Sequence, residues 1–300
     1  MPTTTLDYAP LAAPLDRAAA ASLAAQLRAT GPTGRKFVGM GVAVDVIGAI
    51  GFGAVVLVML PITISGLVTY VQHPDRIDLS FPAITLATLL GSLGMVWWLL
   101  HRYLRRTGSP EIWWRLDSFA RANGMVFAPW SPEPAFPAAL FSAGAGTATY
   151  NHVRREGDDF VNIGNLYFQT GRRSMESFEQ RWGFVAILLT EPRPLMLLDA
   201  RRNNRLGMNG LRTAVGSARL SLPWLSDTFV LKAEDSDSES AREVFSEPLI
   251  SALTNARGVY DVLVQDRWLF LFSRGEFDMT DAALLAELFG IVDIVRAAKL

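Results

Sequence analysis

The chain has no cysteine among its 300 residues and only three histidines. Disulfides and thiolate chemistry are therefore excluded, and the lack of Cys fits a cytosolic location, a property shared by many exported Cys-free domains. His73, His101 and His152 fall at opposite ends of two long apolar runs and in a predicted turn, which argues against a shared zinc site. G-x-x-x-x-G-K-[ST], G-x-S-x-G and H-E-x-x-H are all missing, and neither Gly51-Phe-Gly53 nor Gly144-Ala-Gly146 has the setting of a nucleotide-binding turn. No cofactor, metal or catalytic residue is implied.

Charge is missing where it matters most. From Val46 to Pro74 there is no Lys, Arg, Asp or Glu, and Phe81–Leu100 is likewise uncharged. A hydrocarbon core of ~30 Å needs about 20 apolar residues as helix, so these runs predict a transmembrane hairpin with spans at 47–70 and 81–101. A helix survives in lipid because its backbone hydrogen bonds close internally.

Basic residues set the expected orientation. Arg28, Arg35 and Lys36 precede the first span, and Arg102, Arg105 and Arg106 follow the second. The connecting loop has Arg76 beside Asp75 and Asp78. The positive-inside bias then puts both termini in the cytoplasm and the protein in the plasma (inner) membrane. A cleaved signal peptide is not expected, because some 36 residues without an early basic cluster precede the first apolar run.

Within the hairpin, Asp45 lies before the best span window and reads as an interfacial carboxylate rather than part of an ion path. Pro61 is compatible with a span, with Thr63 available to bond freed carbonyls. Ala83, Ala87 and Gly91, facing Ala49 and Gly53, read as a seam packing the two spans together.

The chain divides into residues 1–36, a cytosolic tail, the hairpin 37–106, and a cytosolic domain 107–300. The tail reads either as one modest Ala-rich helix on the membrane surface or against that domain, or as a flexible segment with nascent helix. Through residue 106 there are 8 basic and 5 acidic residues; thereafter there are 20 and 24. A mildly acidic domain argues against nucleic acid as a partner.

The domain is predicted as α+β, an antiparallel sheet with flanking helices. Helices are expected over Glu111–Asn123, from Ser246 to Gly258, and from Thr280 to about Ala298. A helix from Ser240 is disfavoured by Pro248. Met125–Ala145, rich in Pro, reads as a loop. Strands are expected at Phe160–Gln169, with Gly164 as a bulge, and at Thr228–Lys232. Arg181–Leu189 and Pro194–Asp199 should pair about a Glu191-Pro-Arg-Pro turn, and Val262–Val264 with Arg267–Phe272 about Gln265-Asp266. The latter strand lacks a polar face and should be central, covered on both sides.

Residues 172–219 carry nine Arg against four acids. Asp199, Arg201, Arg202 and Asn204, at a strand end, are the candidate ligand-binding residues, since guanidiniums and amides there can hold a phosphate or carboxylate. The same arginines could form a solvated face near anionic headgroups or pair with the acidic run Glu234–Glu239. That run lacks the glycine and ligand spacing of a calcium loop.

The order of two spans followed by Arg181–Leu189 (RWGFVAILL), Leu197–Asn204 (LLDARRNN), Phe245–Leu253 (FSEPLISAL), Asp261–Ser273 (DVLVQDRWLFLFS) and Ile291–Val295 (IVDIV) resembles a group of uncharacterised two-span membrane proteins of high-GC bacteria. The resemblance implies architecture, a hairpin with a cytosolic domain, and brings no site residue. Expected partners are the lipid bilayer and a protein or anionic ligand at the inner leaflet. The leading expectation is a membrane-anchored binding or scaffolding module. A tethered enzyme acting on a phosphorylated or lipid-derived substrate is the alternative, and a small-solute transport component comes third.

Overall fold

The computed structural model describes residues 6–30, 40–73, 80–107, 109–132, 134–142, 144–170, 178–203 and 218–300. It forms two compact units: Met1–Pro32 together with Pro110–Leu300, and Thr33–Ser109.

The second unit is a pair of packed helices, α3 (Met40–Gln72) and α4 (Ser80–Thr107). Both are long and apolar enough to cross a membrane. Pro61 lies inside α3. The buried seam differs from the one expected: Thr63 on α3 and Thr85, Leu89, Ser92 and Leu99 on α4 are buried, whereas Ala83, Ala87 and Gly91 are exposed. Glycines still set the approach. A Cβ on Gly48 would meet Leu99 Cδ1 at 3.1 Å, and one on Gly66 would meet Phe81 Cε1 at the same distance. Thr85 Oγ1 bonds the Pro82 carbonyl, but the buried Thr63 hydroxyl makes no hydrogen bond and so does not compensate for Pro61.

The other unit is α+β. Its antiparallel sheet contains β1 (Val126–Pro132), β2 (Ala145–Arg155), β3 (Val161–Thr170), β4 (Phe178–Ala200), β5 (Arg219–Leu220), β6 (Phe229–Lys232) and β7 (Tyr260–Arg274). The order is β1-β2-β3-β4-β6-β5, and β7 pairs with β4. Phe184–Ile187 bonds to both β3 and β7, and Leu197–Leu198 to both β6 and β7, so β4 is the central strand.

Two expected hairpins are replaced by one pairing. Rather than folding back at Glu191–Pro194 and at Gln265–Asp266, β4 and β7 run straight through and pair with each other. The two turn signals survive as irregularities lying opposite one another, at Arg193↔Asp266, where Asp266 has φ +53°. Prolines without an N–H are tolerated at such a break in the ladder. Each irregularity shifts the alternation of its strand by one. Val185, Ile187 and Leu189 share a face with Met196 and Leu198, and Val262 and Val264 share it with Leu269 and Leu271. A slip in one strand alone would have turned half of its apolar residues outward. β7 is covered on both faces as expected, but β4 is its one ladder partner among the described strands.

On that first face pack α5 (Pro110–Ala122), α6 (Ser238–Val244), α7 (Glu247–Asn255) and α8 (Ala282–Ala297). Of the apolar face that the spacing predicts for α5, Trp113, Leu116, Phe119 and Ala120 are buried and Ile112 is half-buried, and Gly124 at φ +63° follows the helix end. α6 exists despite Pro248 because it stops before it, at Val244. Ser246 is the N-cap residue of α7, though its side chain makes no capping bond. Asp281 caps α8, its carboxylate accepting from the backbone N–H groups of Ala283 and Leu284. The opposite face of the sheet is covered by Phe136, Leu140 and Phe141, which close over Phe184, Phe270 and Phe272.

The Pro-rich stretch read as a loop contains β1. An edge strand tolerates Pro129 and Pro132 because its outer N–H groups need no partner in the sheet.

The N-terminal segment belongs to this unit. α1 (Ala9–Ala12) and α2 (Arg17–Thr30) pack on α5, with Leu11 and Ala24 buried and Tyr8 stacked on Phe119. Asp7 and Asn123 exchange two bonds: Asp7 N–H donates to Asn123 Oδ1 at 2.7 Å, and Asn123 Nδ2 donates to the Asp7 carbonyl at 2.9 Å.

Candidate functional site

The residues singled out from sequence are separated by burial. Asp199 is buried near the end of β4, opposite Val230 of β6. Arg201 and Arg202 follow on a single 3-10 turn, Arg201–Asn203, and both are exposed. The turn is held by the Arg201 N–H, which donates to the Thr228 carbonyl at 2.8 Å. Asn204 lies outside the described residues, as do Arg172, Arg173, Arg205 and Arg212. The side chains of Asp45 and His101 are also outside them. Beneath the turn, the fully buried Asp261 accepts the Ala200 N–H at 2.7 Å, a bond that ties β7 to the end of β4.

Two arginines of the basic stretch are held by acids other than the Glu234–Glu239 run. Arg193 pairs with Glu243 and more distantly with Glu191. Arg181 pairs with Glu276, lies over the rings of Tyr150 and Tyr167 at 5.9 and 5.7 Å, and shares Glu276 with the Tyr150 hydroxyl. Burial, chiefly, and then the Glu276 charge raise the Tyr150 pKa well above its ordinary value, so Tyr150 stays a donor.

A constellation that sequence reasoning missed sits on β1, β2 and β3. The ladder between β2 and β3 is irregular between Tyr150 and Val153, with the extra residue on β2. Gly164, expected to be the bulge, is in unbroken register with β4 and lies opposite the bulge instead. There Asn151 adopts φ +46°, and its Oδ1 accepts Trp113 Nε1–H at 3.1 Å. This geometry turns His152 into the sheet rather than into a turn. His152 Nε2 lies 2.9 Å from Ser131 Oγ, and Nδ1 lies 2.9 Å from Asn162 Oδ1. His152 and Asn162 are buried, and Ser131 is half-buried. Burial lowers the imidazole pKa to about 4; the Asn162 bond opposes that shift and the Arg154 charge adds to it. The three residues come from three strands, one of which read as a loop, so no local spacing could reveal them. Among the described residues no group of three or more His, Cys, Asp or Glu is placed to hold a metal.

In the unit formed by α3 and α4, many large apolar side chains outside the buried seam are exposed. Ile47 is 68% exposed, Leu57 75%, Ile84 65% and Trp97 68%. Exposed apolar surface of this extent marks a place of contact with another molecule or with lipid.

No protein-family model and no curated protein matches the chain. Among solved structures, the crystal structure of the mycobacterial trehalose monomycolate transport factor A is similar over 62% of this chain and 93% of that one, with a TM-score of 0.39 and 9% sequence identity. At that score and identity the likeness carries no argument about function.

Proposed function

We propose that the chain is an integral membrane protein in which α3 and α4 anchor the α+β unit at the inner leaflet, where it acts as a binding or scaffolding module. The observation that carries this reading is the apolar shell of the helix pair. A core helix of a soluble protein would bury such residues; these expose them, and lipid is the solvent that suits them.

Two further points support the assignment of a side. The chain leaves one compact unit at Pro32 and re-enters it at Pro110. Segments that pack together lie on one side, so the stretch between them crosses an even number of times. The basic residues flanking the two helices, against Arg76 with Asp75 and Asp78 in the sequence between them, favour the cytoplasmic side. Arg201 and Arg202, exposed beside a buried carboxylate, suit an anionic group better than they suit catalysis.

Membrane fractionation tests the anchor. The protein should stay in the pellet through high salt and alkaline carbonate and leave only with detergent; release by carbonate would contradict it. Affinity purification of the wild type beside the Arg201→Ala/Arg202→Ala variant tests the arginines. The variant should lose a co-purifying anionic species, and identical species from both would remove these residues.

A further inference from the structure

Three features of the backbone converge on the orientation of one imidazole. β2 inserts an extra residue, Asn151 occupies the left-handed region without being glycine, and Gly164 leaves open the space that a side chain would deny to His152. Strained backbone and bulges cluster where a side chain must be aimed. What His152 is aimed between is a hydroxyl and an amide oxygen.

An amide oxygen only accepts, so His152 Nδ1 carries the hydrogen and Nε2 keeps its lone pair. That tautomer directs Nε2 at the Ser131 hydroxyl proton. Nucleophile, base and orienting acceptor thus stand in the order that activates a serine. Ser131 is half-buried on β1, the outermost strand, where a substrate can approach from beyond the sheet edge. The outer backbone of an edge strand also offers N–H groups that no neighbouring strand uses.

We propose that Ser131 is an acyl-accepting nucleophile, with His152 as its base and Asn162 as a positioning residue, and that this site hydrolyses simple carboxylic esters. Ser131 Oγ forms a bond to the ester carbonyl carbon while its proton passes to His152 Nε2. The C–O bond to the alcohol breaks, and the departing alkoxide takes that proton from Nε2. Water then attacks acyl-Ser131, giving its proton to Nε2; the carboxylic acid leaves, and the proton returns to Ser131 Oγ. No electrons are gained or lost, and water is the one co-reactant.

The depressed basicity of the buried imidazole has a consequence for rate. The imidazole stays unprotonated at neutral pH, yet it accepts a proton with little driving force. Turnover is therefore slow, and covalent capture is the more sensitive readout.

The full chain in detergent micelles, treated with a fluorophosphonate probe, provides the test. Mass analysis should place the probe on Ser131. Ser131→Ala should abolish labelling, and Ser251→Ala, on the exposed face of α7, should not change it. Asn162→Ala should slow labelling at least about tenfold, with recovery in Asn162→Asp, which restores the acceptor; a structural role would move melting and leave reactivity untouched. The wild type should also release p-nitrophenol from p-nitrophenyl acetate in a burst. An unlabelled wild type with a cooperative melt would overturn the proposal, as would labelling that persists in Ser131→Ala. Either failure leaves the carbonate-extraction result, and so the anchor, standing by itself.

Discussion

Gly164 and His152 approach so closely across the β2–β3 ladder that a Cβ on the glycine would lie 2.2 Å from His152 Cβ and 2.7 Å from its Cα. The atoms met are the backbone and the root of a buried side chain, neither of which can swing aside. Gly164→Ala should therefore destabilise the α+β unit by about 2–4 kcal/mol and lower its urea midpoint. Gly290→Ala is the counterpart: it lies exposed in α8 with nothing within 4 Å of the added Cβ. That change should stabilise by up to about 1 kcal/mol.

His152 also gives stability a pH dependence. Its folded pKa is about 4 against an ordinary 6.5, so between those values the unfolded chain binds the extra proton. Its contribution is whole above pH 6.5, falls as pH drops towards 4, and reaches a loss of about 3 kcal/mol below that. Urea unfolding at pH 7 and pH 4.5 should show most of this loss in the wild type. A His152→Gln variant should lack that portion of the difference, and equal pH dependence in both would contradict it.

The N-terminal segment docks on α5 through named contacts whose loss should loosen it. Leu11→Ala empties the position that Leu11 of α1 fills against α5 and should cost about 2–3 kcal/mol of docking. Asn123→Ala removes both bonds to Asp7 and should cost about 1 kcal/mol. Amide exchange over residues 6–30 should speed up in both variants while that of β4 and β7 stays unchanged.

Asp281→Ala removes the carboxylate that two N–H groups of α8 use. A loss of about 1 kcal/mol is expected in thermal or urea melts.

Local signals explain what was legible. The apolar runs of α3 and α4, the 3.6-residue spacing of α5, and the start of α8 near Thr280 depend on neighbours within a few residues. Pairing choices do not. Glu191-Pro-Arg-Pro and Gln265-Asp266 each look like turns, and only their meeting across the β4–β7 ladder makes them matched breaks in two continuous strands. β1 was hidden because Pro129 and Pro132 argue against any strand except an edge, and edge position is a property of the whole sheet. The same limit applied to the sites: Asp199 and Arg201 are two residues apart yet differ in burial, while Ser131, His152 and Asn162 meet only after three strands pair.

The anchor and its orientation can be tested together because the chain has no cysteine of its own. His73→Cys places one thiol at the end of α3, and Asp158→Cys places one on the exposed turn between β2 and β3. With a membrane-impermeant maleimide, intact cells should label the position-73 variant at once and the position-158 variant only after the membrane is opened. Labelling in the reverse order, or equal labelling of both in intact cells, would contradict a hairpin that holds this unit at the inner leaflet.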